Sequence, residues 1–115
     1  MGRRSRRAGR SRDEVSEYTD CEGNVLVLRA RLSPGTLREL GQLHSSAAAV
    51  REDLFARRAE FLFERLAVSW TIAGLPLRGQ KELLARYRMA DAETRRFVRE
   101  TIDAHLRAHQ PEALS

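Results

Sequence analysis

Apolar residues in the middle of the chain recur at helical spacing from Phe55 to Ala73, over the segment FARRAEFLFERLAVSWTIA. One apolar face consists of residues three or four positions apart, namely Phe55, Ala59, Leu62, Leu66, Trp70 and Ala73. A second apolar face consists of Phe61, Val68 and Ile72. A helix that is apolar on two faces is buried among other elements. The pattern therefore predicts a central helix here, with the rest of the domain packed around it.

The pattern changes to strict alternation from Val25 to Leu32, over VLVLRARL. Leu26, Leu28, Ala30 and Leu32 point to one side of a strand, and the intervening residues point to the other. Residues 13–21 precede this strand with weaker alternation, and Glu22, Gly23 and Asn24 between the two stretches are typical of a turn. The sequence predicts an N-terminal β-hairpin. Its apolar face needs a helix to cover it, because an isolated hairpin is marginally stable in water.

Helix start and stop signals divide the remaining chain. Ser33 and Pro34 end the strand and begin a helix at about residues 34–43. Ser45 and Ser46 interrupt the apolar pattern, so residues 34–73 form either two helices or one unbroken helix. Gly74 and the following Leu-Pro pair predict the end of the central helix.

Two further helices are predicted toward the C-terminus. The first covers residues 77–89, with Leu83, Leu84 and Tyr87 facing inward and Met89 as a further candidate for that face. The second is capped by Asp91 and stopped by Pro111. Its apolar stripe is formed by Phe97 and Thr101 together with Val98, Ile102 and His105.

These elements predict a mainly α fold, in which an N-terminal β-hairpin is followed by a three- to four-helix bundle around the central apolar helix. A chain of 115 residues is long enough for one domain with a real core. We assign residues 14–110 to that domain, residues 1–13 to a disordered basic arm and residues 111–115 to a C-terminal tail.

The positive charge of the chain is concentrated at its N-terminus. The net charge is +5, whereas residues 1–12 alone carry +6, so residues 13–115 carry −1. The six arginines responsible are Arg3, Arg4, Arg6, Arg7, Arg10 and Arg12. A run of like charges with Gly and Ser predicts disorder, and such arms bind phosphates through salt-dependent contacts. Nucleic acid is therefore a possible ligand of the arm, and the alternative is a solubilising extension.

Other features of the sequence favour a cytoplasmic, non-enzymatic protein. The chain has no apolar run of membrane-spanning length and no apolar segment behind its arginines, so neither membrane contact nor secretion is expected. Cys21 is the only cysteine, which excludes an internal disulfide. No phosphate loop, nucleophile elbow or catalytic triad pattern appears, so we expect neither catalysis nor a cofactor.

Two groups of residues with possible binding chemistry are better explained structurally. His105 and His109 are four residues apart on a predicted helix, but no HExxH pattern or third ligand accompanies them, so no metal is expected. A set of basic residues on the last two helices is mixed with acidic residues and is typical of a solvated face. The set comprises Lys81, Arg86, Arg88, Arg95, Arg96 and Arg99, and in a nucleic-acid-binding protein its five arginines would assist the arm.

The order of elements resembles that of a known family. A weak strand pair ending in GNVLVLRARLSPGTLREL, then a long helix containing LFERLAVSW, then two shorter helices, resembles the small tail assembly chaperones of long-tailed bacteriophages and prophages. The resemblance covers Tyr18 to His109 and rests on element order. It implies a cytoplasmic protein that binds the tape measure protein during tail assembly and is absent from the finished particle.

The leading hypothesis is therefore a protein–protein interaction module. The second apolar face of the central helix is the predicted contact with a helical partner or with a second copy of the chain. Its residues, with the aromatic anchor beside them, are Phe61, Val68, Trp70 and Ile72. The alternative is a nucleic-acid-binding accessory protein that uses the arginine arm.

Overall fold

The computed structural model describes residues 14–44 and 51–114. Four strands form one antiparallel sheet in the order of the sequence: β1 (Val15–Thr19), β2 (Val25–Arg29), β3 (Ala67–Ile72) and β4 (Leu75–Leu77). The helices are α1 (Pro34–His44), α2 (Arg51–Leu66), α3 (Gln80–Met89) and α4 (Ala92–His109), followed by a short 3-10 helix (Pro111–Leu114). The predicted disordered arm and the predicted break at Ser45 and Ser46 lie outside the described residues.

The predicted N-terminal hairpin is confirmed. β1 and β2 pair with Tyr18 opposite Leu26. The carboxylate of Asp20 holds the turn by accepting hydrogen bonds from the backbone N–H groups of Glu22 and Asn24, at 2.8 and 3.0 Å. Gly23 adopts a φ of 86°, in the left-handed region that glycine tolerates best. Local turn chemistry therefore fixes the register of this hairpin.

The predicted central helix ends earlier than expected. It stops at Leu66, and the chain continues directly as β3, which pairs with β2 so that Trp70 lies opposite Leu26. Residues 67–72 (AVSWTI) are rich in β-branched and aromatic side chains, which suit a pleated sheet. The prediction of one helix to residue 73 is thus wrong. The hairpin became half of a four-stranded sheet because a second hairpin pairs with it.

The core lies between one face of this sheet and the helices. Tyr18, Leu26, Trp70 and Leu77 occupy one register row across the four strands and point toward the helices. Each described helix contributes to the same cluster, through Leu40, Leu62, Leu83 and Val98 among others. The ring of Phe63 contacts those of Trp70 and Tyr87, with centroids 5.5 and 5.0 Å away. The α2 helix is therefore central in packing, as predicted, over its shorter length.

Signals at the ends of α4 are also confirmed. The carboxylate of Asp91 accepts a hydrogen bond from the backbone N–H of Thr94 at 2.8 Å, as an N-cap does. The helix ends at His109, two residues before Pro111. Beyond it, the side-chain amide of Gln110 bonds both backbone groups of Leu32, and these bonds tie the end of α4 to the segment that follows β2.

Candidate partner-binding groove

An exposed aromatic ring marks a groove between α2 and α4. Phe55 is 55% exposed although it belongs to the apolar stripe of α2. A small pocket with a free volume of about 20 Å³ lies beside it. The apolar part of its lining consists of Phe55, Ala59, Leu62 and Ile102, and the polar part consists of Arg58, Arg99 and Asp103.

A second, larger pocket with a free volume of about 130 Å³ lies toward α3. Its lining includes Ala56, Glu60, Tyr87 and Arg95. Because Phe55, Ala59 and Arg99 also line this pocket, the two pockets adjoin each other on either side of the same ring. We call this combined surface, defined by the linings of both pockets, the Phe55 groove.

The helical repeat explains how the sequence forms the groove. Phe55, Ala59 and Leu62 are four and three residues apart, so they form one stripe along α2. Across the groove, Arg99 and Ile102 are three residues apart on α4 and project from one face of that helix. The methyl side chain of Ala59 lies between larger neighbours. A small residue at this position leaves space that a partner side chain can fill.

The charges on the rim of the groove are unequally paired. Arg58 contacts the carboxylate of Asp103 at 3.4 Å. Arg88 contacts that of Glu60 at 2.8 Å, and this hydrogen bond raises the pKa of Arg88. Arg99 instead lies over the Phe55 ring, 5.1 Å from its centroid.

Arg95, also on the rim, donates a hydrogen bond to the backbone carbonyl of Ala90. Within residues 14–44 and 51–114, neither Arg95 nor Arg99 forms a salt bridge with a carboxylate. The groove therefore presents an apolar floor beside two guanidinium groups that form no salt bridge in the described chain. The carboxylate of Asp91 is near one of them: hydrogen bonds from Thr94 lower the pKa of Asp91, and the charge of Arg95 lowers it further.

The predicted partner-binding residues do not share one helical face. Trp70 is 1% exposed and lies in the core, and Ile72 packs against the same core from β3. Phe61 is partly buried under the guanidinium of Arg65, which lies 4.7 Å from its ring centroid. Val68 is the extra residue where the β2–β3 register shifts. The second apolar face expected from helical spacing is not formed, because the helix ends at Leu66 and the later residues lie on a strand.

The basic residues proposed for nucleic-acid contact are only partly described, and several of those described already contact other groups of the chain. The six arginines of the arm lie outside the described residues. Arg86 approaches the ring of Trp70 at 6.0 Å, and Arg88 is paired with Glu60. Arg95 and Arg99 belong to the Phe55 groove. Sequence reasoning missed this groove because spacing alone does not distinguish Phe55 from the buried Leu62 on the same stripe.

His105 forms a buried polar junction on the other side of the molecule. Its Nε2 lies 2.7 Å from the backbone carbonyl oxygen of Arg29, which can only accept, so Nε2 carries the proton. The Nδ1 atom then accepts from the Tyr18 hydroxyl at 2.6 Å. Burial lowers the pKa of His105 because it penalises the imidazolium, and the nearby His109 lowers this pKa further.

Both ring nitrogens of His105 are therefore engaged in hydrogen bonds within the chain, and these bonds join α4 to β1 and β2. His109 lies nearby, with its ring centroid 4.6 Å from that of His105. Across the described part of the chain, no group of three or more His, Cys, Asp or Glu residues is arranged to hold a metal ion. The Phe55 groove is therefore the better candidate for a functional surface.

Comparisons with known proteins give no independent assignment. No protein-family model matches the chain, and neither the curated proteins nor the solved structures include a match. Among the described helices, none has the length and apolar character needed to cross a membrane.

Proposed function

We propose that this chain is a non-enzymatic, cytoplasmic protein-interaction module that holds a helical segment of a partner protein in the Phe55 groove. The observation that supports this proposal is the exposed Phe55 ring with a pocket on each side. Aromatic side chains next to pockets are frequent anchors of protein interfaces. Burying such a ring against a partner removes apolar surface from water and so favours association.

The chemistry of the groove favours a particular kind of helix. Apolar residues spaced three or four positions apart fit the floor beside Ala59 and Leu62. Acidic residues flanking them fit Arg95 and Arg99, neither of which forms a salt bridge within the described residues. We therefore propose an amphipathic partner helix with an acidic rim.

Tail assembly is the specific setting that we propose. The supporting argument is the first part of the element order, in which a hairpin leads through Ser33 and Pro34 into the helices α1 and α2, as in the tail assembly chaperones that the sequence resembles. The second hairpin, formed by β3 and β4, departs from the order on which the resemblance was based. On this proposal the partner is a helical segment of the tape measure protein. Binding during assembly would keep the apolar stripe of that segment from aggregating.

Co-purification with a tape measure protein from the same genome tests this proposal. The wild-type chain is expected to bind, whereas Phe55→Asp is expected to weaken binding by roughly 30-fold or more, the loss typical of a central aromatic anchor. Met89→Asp is the matched control, because Met89 is 80% exposed on α3 and does not line the groove.

The two parts of the proposal fail in different ways. Failure of the wild-type chain to bind any tape measure segment would reject the tail-assembly partner. Equal binding by wild type and Phe55→Asp would reject the groove while leaving the partner in place. A loss with Met89→Asp equal to that with Phe55→Asp would show a general effect of the added charge.

Nucleic-acid binding through the arm is the second proposal, supported by six arginines and no acidic residue within residues 1–12. Its affinity for a labelled oligonucleotide, measured by fluorescence anisotropy, is expected to fall steeply with salt. Deletion of residues 1–12 is expected to abolish most of that binding. Affinity that is insensitive to salt or to the deletion would reject this proposal.

A further inference from the structure

The sheet has a second face that the described helices leave open. Nine positions of the paired strands point away from the core row of Tyr18, Leu26 and Trp70, as strand alternation requires. They are Val15, Glu17, Thr19, Val25, Val27, Arg29, Ser69, Thr71 and Pro76. We call these nine residues the outer face. None of them belongs to the core cluster, which draws on all four described helices.

The composition of the outer face is unusual for a surface in water. An antiparallel sheet with one solvated face usually has polar residues on that face. Here five of the nine residues are valine or threonine, and only Glu17 and Arg29 are charged, in a chain that is 32% charged overall. Val15 is 51% exposed at the edge, and Val25 and Val27 in the middle are only partly buried. The three valines and Pro76 form the apolar part of this face, and exposed apolar surface that polar residues surround is typical of interaction sites.

We propose that a second copy of this chain packs on the outer face, sheet against sheet, around a two-fold axis. The choice of a second copy as the partner rests on the two charged residues of the outer face. Glu17 on β1 and Arg29 on β2 are diagonal neighbours, because Glu17 lies opposite Val27. In a two-fold interface each contact occurs twice with the roles exchanged. Glu17 of each copy therefore meets Arg29 of the other, and both charges are paired.

Other modes of association fit the outer face less well. A partner with charges of one sign would leave either Glu17 or Arg29 unpaired in the interface, which is costly when the group is desolvated. Pairing of two β1 edges along their full length would place Glu17 opposite the second copy's Glu17, and like charges directly opposite are destabilising. Face-to-face packing avoids both problems and buries the valines of β2.

Sedimentation equilibrium of the full-length chain tests the proposal. The wild type is expected to form a dimer, and Val27→Asp is expected to raise the dimer dissociation constant at least tenfold, because it places a buried charge at the centre of the interface. Met89→Asp again serves as the control, since Met89 lies on α3 and is exposed. Circular dichroism establishes that each variant is folded.

Mixing two charge variants tests the two-fold arrangement. Glu17→Arg and Arg29→Glu are each expected to weaken self-association, because each homodimer would bring like charges together. An equimolar mixture is expected to form heterodimers, since every contact then joins an arginine to a glutamate. An intrachain role for Glu17 and Arg29 would not produce this recovery.

Three results would overturn the proposal. The first is a wild-type chain that stays monomeric up to about 100 µM, which corresponds to association weaker than about 5.5 kcal/mol. The second is dimerisation of Val27→Asp with wild-type affinity, which would place the interface elsewhere. The third is the absence of heterodimers in the mixture. This proposal does not rest on the Phe55 groove, which lies between helices on the other side of the sheet.

Discussion

Replacing His105 with glutamine is expected to change how stability depends on pH. The folded chain holds His105 neutral, since burial lowers its pKa and Nδ1 already accepts from Tyr18. In the unfolded chain the same imidazole titrates near its ordinary pKa of about 6.5. Below that pH the unfolded state binds a proton that the folded state resists, so the wild type loses stability as the pH falls.

The magnitude follows from this difference in proton binding. The wild type loses at most ~1.4 kcal/mol of unfolding free energy for each unit that the pH falls. This loss starts near pH 6.5 and ends once the folded state also binds the proton. At pH 7.5 the substitution removes or weakens the hydrogen bonds to Tyr18 and Arg29, which costs about 1–3 kcal/mol. Because the variant has no imidazole at this position, the gap between the two proteins narrows as the pH falls.

Urea unfolding between about pH 5 and pH 8, followed by circular dichroism and by the fluorescence of Trp70, measures this gap. Trp70 is the only tryptophan and is buried, so its emission reports on loss of the core. His109→Gln serves as the comparison, because it keeps the buried His105 and removes only the smaller lowering of the His105 pKa that His109 causes, so most of the pH dependence of the wild type is expected to remain. Parallel stability curves for wild type and His105→Gln would refute the reasoning.

Two further substitutions test the connection after α4 and the turn before β4. Gln110→Ala removes both hydrogen bonds to the backbone of Leu32, and we expect it to lower the free energy of unfolding by about 2 kcal/mol, as measured by urea unfolding. A loss of less than about 0.5 kcal/mol would show that water replaces these hydrogen bonds. Gly74→Ala is expected to lower the free energy of unfolding by about 1 kcal/mol, because Gly74 has a φ of 83°. Gly41→Ala, inside α1, is expected to raise it by about 0.5–1 kcal/mol, because the new methyl group would meet no atom of the described residues within 4 Å. Equal effects of the two alanines on the thermal midpoint would contradict this assignment.

Local signals in the sequence predicted the parts of the fold that local interactions determine. The Asp20–Asn24 turn, the helix start at Pro34 and the Asp91 cap each depend on residues within a few positions of one another. The burial of His105 on the stripe with Ile102 also followed from helical spacing. These features need no information from distant parts of the chain.

The error in the central segment has a non-local cause. Leu66 and Trp70 suit a helical stripe, whereas Trp70 and Ile72 equally suit alternation in a strand. Pairing of β3 with β2, about 45 residues earlier in the sequence, decides between the two. The same limit applies to the candidate site, because the exposure of Phe55 depends on how α2 packs against α4.

The junction at His105 links the first strand to the last helix across 87 positions of sequence. Arg31 adds a second link, because it contacts the carboxylate of Glu112 at 3.1 Å. A chain emerging from the ribosome therefore cannot complete the contacts of β1 until α4 is available. Folding of this domain is consequently expected to finish only after α4 and the 3-10 helix that follows it have been synthesised, and removal of these two helices is expected to loosen the N-terminal hairpin first.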